Sequence, residues 1–319
     1  MPKPRQSVSE DRRILGIALG GGAARGWAHI GVLKELAAIG IEPDIVCGTS
    51  MGAMIGAAYV AGNLDPLESF ARSLNKMDFL RNLDIKLLLG GGFIEGKRMM
   101  ELVNEYLTEA RIENLPKPFA AVATELLTGH ELWLREGPVT EAIRASAALP
   151  GIFTPVQVDG QWLVDGGLVN PVPISLCRAM GANFVIAVNV NEGMLGRHFR
   201  QNVKYQEQWD KNGVEATLLD KISSELKQRA GAYLPYLFEP GSHPPGLFDV
   251  LTGSLAIMQD RITRSRMAGD PPEVLIRPRV GNIGLLEFER AGEAIEVGRD
   301  SVRRMQPHLQ ELLGSISPP

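Results

Sequence analysis

Ser50 lies in the pentapeptide Gly48-Thr49-Ser50-Met51-Gly52, between the short apolar strand Asp44–Cys47 and a helix expected over Met51–Gly62. A serine flanked in this way sits on a strand-to-helix turn so tight that its own backbone is strained, and the two glycines let neighbouring elements approach it. The turn holds the hydroxyl in the open. The same turn starts a helix, whose unpaired N–H groups and positive dipole end favour negative charge beside the reacting atom. This is the arrangement of a nucleophile with an oxyanion site. In a chain with 35 glycines, the pentapeptide alone also fits a glycine-rich turn that happens to contain serine, so its surroundings have to decide.

A second glycine-rich stretch, Gly20-Gly21-Gly22-Ala23-Ala24-Arg25-Gly26, follows the apolar run Ile14–Leu19 and precedes a helix marked by Trp27, Ile30, Val32, Leu33, Leu36 and Ile39. Bare backbone N–H groups at a helix start can cradle either a phosphate or a developing oxyanion. The dinucleotide pattern fits at Gly20 and Gly22, but its closing position is Arg25, and Glu42 or Asp44 is a loose match for the acid it needs. A P-loop is excluded because no Gly-Lys-Ser/Thr closes the stretch. The oxyanion reading gains weight because loops after adjacent parallel strands meet at one sheet edge, which brings Gly20–Gly26 beside Ser50.

These residues need a sheet to hold them, and the chain supplies one. Strand-length apolar runs recur at 14–19, 44–47, 119–126 and 184–190. Helical patterns stand between or beside them at 65–74, 96–107, 139–148 and 174–180. Glu131–Leu134 reads as a short hairpin partner. The alternation implies a largely parallel sheet over about residues 13–190. From 193 to about 270 the composition turns polar, aromatic and proline-rich, with helices expected at 214–230 and 247–267, and this reads as an insertion or cap. Residues 271–319 return to strand character at Glu273–Ile276 and close with an amphipathic helix carrying Ala291, Ile295, Val302, Met305, Leu309 and Leu312.

At 319 residues the chain is long enough for one large α/β domain with an insertion. A net charge of −4 gives no electrostatic footprint for nucleic acid. The first residues have no apolar core of a signal peptide, and no run approaches the roughly 20 apolar residues of a membrane span, so a cytoplasmic protein is expected. Cys47 and Cys177 form no metal-binding spacing and read as buried fillers. The segment Phe79–Ile94, apolar and interrupted by glycines, reads as a packed connection, with a transient membrane contact as its rival. Asp165 precedes Gly166 and Gly167, and alone this reads as a turn aspartate.

Four stretches stand together: GGGAARG at 20–26, GTSMG at 48–52, ASAALPGIF at 145–153 and DGG at 165–167. Their order and identity resemble the patatin-like phospholipases. ARGWAHIGVL and VLIRPRVGNIGLLEF are similar to the bacterial branch related to neuropathy target esterase. The resemblance implies a three-layer α/β/α fold and a serine lipid acyl hydrolase with a Ser/Asp dyad, without cofactor or metal. By motif, the nucleophile falls on Ser50, the base on Asp165, and the oxyanion donors on the N–H groups of Gly21, Gly22 and Ala23. Gly20, Arg25, Gly26, Gly48, Gly52, Gly166 and Gly167 are the supporting motif positions, and Arg25 matches a basic position expected to fix the loop.

Counting back from Gly26 in Gly-x-Gly-x-x-Gly puts Ala23 where many members have glycine. Alanine still supplies an N–H but resists positive φ. The substrate class implied is a phospholipid or other acyl ester, met by peripheral contact with the inner face of a membrane. A conventional triad would need one of His29, His130, His198, His243 and His308. Only His29 lies within a matched motif, on a helix already committed to packing. The reading from another class is a lipid-binding or regulatory module that keeps the fold without turnover.

Overall fold

The computed structural model describes residues 13–75, 111–192 and 247–313. The expected helices at 96–107 and 214–230 and the apolar segment 79–94 lie outside them. The chain divides into two compact units, Met1–Glu192 with Met258–Pro319, and Gly193–Ile257. Of the second unit only 247–257 are described, as helix.

The described elements run β1 (Leu15–Leu19), α1 (Ala28–Ala38), β2 (Ile45–Thr49), α2 (Met51–Val60), α3 (Leu64–Ser73), β3 (Phe119–Glu125) and β4 (Glu131–Leu134). Then follow α4 (Val139–Ser146), β5 (Val156–Val158), β6 (Gln161–Asp165), α5 (Ile174–Ala179), β7 (Phe184–Val188), α6 (Leu247–Gly269), β8 (Val274–Ile276) and α7 (Ala291–Leu313). Among the described residues the strands form one sheet in the order β5-β6-β3-β2-β1-β7-β8, with β4 paired to β3. The path from β3 through β2, β1 and β7 to β8 is parallel. The expected parallel core therefore stands. Its antiparallel additions are β4 and the β5–β6 hairpin.

Alternation along each strand divides the core in two. Ala18, Cys47, Ala120, Val122, Val185 and Ala187 pack against Ile174, Leu176 and Cys177 of α5. Cys47 and Cys177 are both buried in this layer. On the opposite face α2 lies so close that a Cβ on Gly56 would touch Val46, Leu19 and Phe119 at 3.0–3.4 Å. Beyond it α1 and α7 cross at two glycines: a Cβ on Gly31 would lie 1.9 Å from the Ile295 carbonyl oxygen, and one on Gly298 would lie 2.1 Å from that of Ala28. Glu68 of α3 ties this layer together, meeting Lys34 of α1, Arg72 of its own helix and Arg299 of α7.

One topological detail positions the site. Strand β3 pairs with β4 along one edge. Its other edge is shared, because β2 pairs with its first residues, ending at Thr49 opposite Val122, and β6 with its last, ending at Asp165 opposite Ala123. Val122 and Ala123 are adjacent, so the carboxyl ends of β2 and β6 meet head to head on a single edge.

Candidate active site

Ser50 follows Thr49 directly and adopts φ 54°, ψ −122°, a conformation that costs an L-residue about 1–3 kcal/mol. Its surroundings enforce it. A Cβ on Gly48 would lie 2.4 Å from the backbone of Ala53, and one on Gly52 would lie 2.1 Å from the carbonyl oxygen of Leu19. Both glycines are required by close approach, which is the steric reason for the Gly-x-Ser-x-Gly spacing. The Ser50 N–H donates to the Ser146 hydroxyl at 2.8 Å, and its carbonyl caps α2 by accepting from Ala53 and Met54.

Asp165 is buried, with 2% of its surface exposed. Its main chain is held on both sides: the N–H donates to Ala148 O at 3.0 Å, and the carbonyl accepts from the Thr124 hydroxyl at 2.9 Å. The side chain accepts from the Gly167 N–H at 2.7 Å through Oδ1, and the Ser50 hydroxyl lies close enough to favour the ionised carboxylate. Burial pushes its carboxyl up to about 6, against the lowering effect of the Ser50 hydroxyl and the Gly167 N–H. A Cβ on Gly166 would lie 2.2 Å from Val122 O, and one on Gly167 would lie 2.5 Å from Gln259 Nε2 and 2.9 Å from Asp165 Oδ1. The two glycines let the aspartate turn sharply at the sheet edge. The structure thus brings together Ser50 and Asp165, which lie on separate motifs in the sequence.

The glycine stretch crosses the same edge. A Cβ on Gly21 would stand 3.3 Å from that of Ser50, and one on Gly26 would clash with Met51 at 2.3 Å. Gly20 N–H donates to Val188 O at 3.0 Å and Gly21 N–H to Pro171 O at 2.9 Å, so both are spent on anchoring the loop. Among the described residues the N–H groups of Gly22 and Ala23 have no acceptor. Gly22 is extended at φ 178°. Ala23, at φ 46°, takes up a left-handed conformation despite its side chain. Arg25 lies beneath the loop with its Nε donating to Gly22 O at 3.3 Å, and burial lowers the guanidinium to about 10 without discharging it at neutral pH.

His29 is fully buried, with Nε2 2.7 Å from Gly20 O. Burial brings it down to about 4, so it is neutral and serves as a prop under the loop. His130 lies in the exposed β3–β4 turn and His308 on the exposed side of α7, while His198 and His243 fall outside the described residues.

Sequence reasoning missed the residues that hold these parts in register. Ser146 bonds the Ser50 amide, and Thr49 donates through its hydroxyl to Asn170 O at 2.8 Å. Asn191 donates through Nδ2 to Gly21 O at 2.8 Å and lies 3.4 Å from Gln259 Oε1. Ser146 stands inside the ASAALPGIF stretch and could have been found there. Asn191 and Gln259 carry no local signal, because their roles arise from elements distant in sequence. Among the described residues no group of three or more His, Cys, Asp or Glu could hold a metal, and no helix is long and apolar enough to cross a membrane.

Comparison with known proteins adds an independent line. Residues 17–178 match the family model described as patatin-like phospholipase. An uncharacterized NTE family protein of Mycobacterium tuberculosis (strain ATCC 25618 / H37Rv) is 33% identical over 339 residues, covering 94% of this chain and 93% of that one. Patatin-like phospholipase domain-containing protein 6 of Mus musculus is 33% identical over 183 residues, 55% of this chain and 13% of that protein. Among solved structures, VipD from Legionella pneumophila covers 95% of this chain at 12% identity with a TM-score of 0.36. The matched span begins in β1 and ends in α5, enclosing the glycine stretch, the Ser50 turn and Asp165, and with near full-length similarity to an NTE family protein this means that the chain belongs to the patatin-like phospholipase family, within its NTE branch.

Proposed function

We propose that this protein is a serine lipid acyl hydrolase in which Ser50 attacks the ester carbonyl of a phospholipid, lysophospholipid or related acyl ester. The observation that carries the reading is the meeting of β2 and β6 on one edge of β3, which brings the Ser50 hydroxyl close enough to the buried Asp165 carboxylate to favour its ionised form. A carboxylate at its ordinary pKa near 4 is a poor base for a serine hydroxyl. Held up to about 6 by burial, Asp165 is ionised at neutral pH yet more basic than a solvated aspartate, and takes the proton as the Oγ–C bond forms.

The tetrahedral oxyanion that follows needs donors aimed at it before the charge appears. Gly22 and Ala23 are the candidates in the glycine loop, since their N–H groups have no acceptor among the described residues and the Gly21 N–H is bound to Pro171 O. Gly21 supports the site by its lack of a side chain, and the α2 N-terminus adds its dipole. Collapse of the intermediate expels the alcohol, which takes the proton from Asp165. Water, deprotonated by the same carboxylate, then cleaves the acyl-serine.

The test is reaction with a fluorophosphonate probe and turnover of acyl esters of graded chain length, alongside Ser50→Ala. Labelling and hydrolysis that both vanish in that variant support the assignment. Lipid binding by the parent without turnover or labelling would leave a non-catalytic lipid-binding module.

A further inference from the structure

The carboxyl end of the sheet carries an apolar feature that the hydrolase chemistry does not use. Strand β3 continues past Val122, which pairs with the residue before Ser50, and turns into β4 through residues 126–130, all exposed. Leu127, at this turn, is 82% exposed and Leu126 51%. The β5–β6 hairpin points the same way, because β6 runs antiparallel to β3 from Leu163 opposite Glu125. It turns at Asp159 and Gly160, both at positive φ (47° and 81°), as a two-residue hairpin with Asp-Gly demands. Trp162, 45% exposed, then stands beside Leu126, whose N–H donates to Trp162 O at 2.8 Å.

The two tips are locked to each other. The Glu125 carboxylate accepts from Gln161 of β6 at 3.2 Å and from Thr128 of the turn. Between 125–131 and 157–162 the charged residues are Glu125, Glu131 and Asp159, with no lysine or arginine. A rigid, convex, apolar tip of this kind offers little matching area to a folded partner, but it fits a deformable medium that closes around it. Leu126 lies four residues beyond Val122, the partner of Thr49, which at the strand rise places it about 13 Å past the level of Thr49.

We propose that the β3–β4 and β5–β6 tips are the point at which this protein docks on a neutral or zwitterionic lipid surface, Leu126, Leu127 and Trp162 entering the interface and turning the Ser50 edge toward it. The purpose of the contact rests on the hydrolase reading, but the contact itself does not. With three carboxylates and no cation but Arg266, which is paired to Glu131 at 2.6 Å, the tips gain nothing from anionic lipid, so binding is expected to be insensitive to salt.

The experiment is flotation of the full chain with phosphatidylcholine vesicles, comparing the parent with the double variant Leu126→Asp, Leu127→Asp, both checked for the same melting temperature. The variant is expected to lose vesicle binding and about tenfold or more of vesicle-lipid hydrolysis, with hydrolysis of a water-soluble short-chain ester unchanged. Quenching of tryptophan by brominated phosphatidylcholine, lost on Trp162→Phe, gives a second readout that no fold change is needed to explain. Equal flotation of parent and variant, no flotation of either, or binding that requires anionic lipid overturns the proposal. If no ester is hydrolysed by either protein while flotation still depends on Leu126 and Leu127, the docking surface stands and the hydrolase reading fails.

Discussion

Thr49 and Asp165 are successive neighbours on one edge of β3, although their strands run in opposite directions: Thr49 pairs with Val122 and Asp165 with Ala123. The hydroxyl of Ser50 and the carboxylate of Asp165 meet because β3 measures out both positions. Asp165→Asn is therefore expected to keep the sheet and lose function. Asn can still accept from Gly167 through its carbonyl oxygen but cannot take a proton from Ser50. We expect ester hydrolysis to fall by about three orders of magnitude or more, together with fluorophosphonate labelling. Near-normal turnover of a folded Asp165→Asn protein would remove the dyad from consideration.

The raised Asp165 carboxyl also sets a pH limb. Only the ionised form can accept the serine proton, so kcat/KM for a soluble ester should fall below about pH 6, one decade per unit, as the carboxylate is titrated. His29, held down to about 4, stays neutral through that range. His29→Gln should leave the limb where it is, whereas a histidine base would take it away.

Stability should run the other way at the same residue. Asp165 has a higher pKa folded than unfolded, so stability is lost as pH rises from about 4 to about 6, and above the folded value the full cost of the buried charge stands. Removing that charge should raise the stability of Asp165→Asn over the parent by about 1–3 kcal/mol at pH 7.5. The difference should shrink as pH falls through 6 and vanish near the unfolded value. Denaturant melts of both proteins at pH 7.5 and pH 4.5 measure it, and a gap that does not narrow would show that the charge is not the cause.

Ala23 gives a prediction of opposite sign from the family pattern. At φ 46° its side chain opposes the backbone, and Ala23→Gly removes that conflict at some entropic cost, for a net gain of up to about 1 kcal/mol. The N–H is retained, so hydrolysis should survive. Gly52→Ala is the contrasting case. Its Cβ would meet the Leu19 carbonyl at 2.1 Å, main chain that cannot rotate away, and a loss of about 3 kcal/mol or more is expected in thermal melts.

The parallel core was legible because Ile14–Leu19, Phe119–Ala123 and Phe184–Val188 are continuous apolar runs, the signature of strands covered on both faces. The Ser50 turn was legible because its glycines obey a steric rule that can be read from spacing. Asp165 was not, on its own: a turn aspartate and a buried base look the same in sequence, and they differ only through the shared edge of β3. The hairpin partner β5 was missed although Val156–Leu163 carries Asp-Gly between alternating residues. Ser146 lies on α4, Gln259 on α6, and Asn170 and Asn191 in loops after β6 and β7, and no periodicity links them. Their contribution exists only after long-range pairing has brought those elements together.

The crossing of α1 and α7 at Gly31 and Gly298 also governs when this site can exist. Everything that touches the reacting atoms has left the ribosome by Gly167, or by Gln259 if its contact with the Asp165 turn is counted. The apolar face of α1, the helix that props the glycine loop through His29, has to wait for residues 291–313 before it is covered. During synthesis the nucleophile is thus made early and its scaffold is closed late. Ribosome-bound chains that still lack residues 291–313 should react poorly with an active-site probe and the released chain should react fully, which would delay the site's reactivity until α7 has docked.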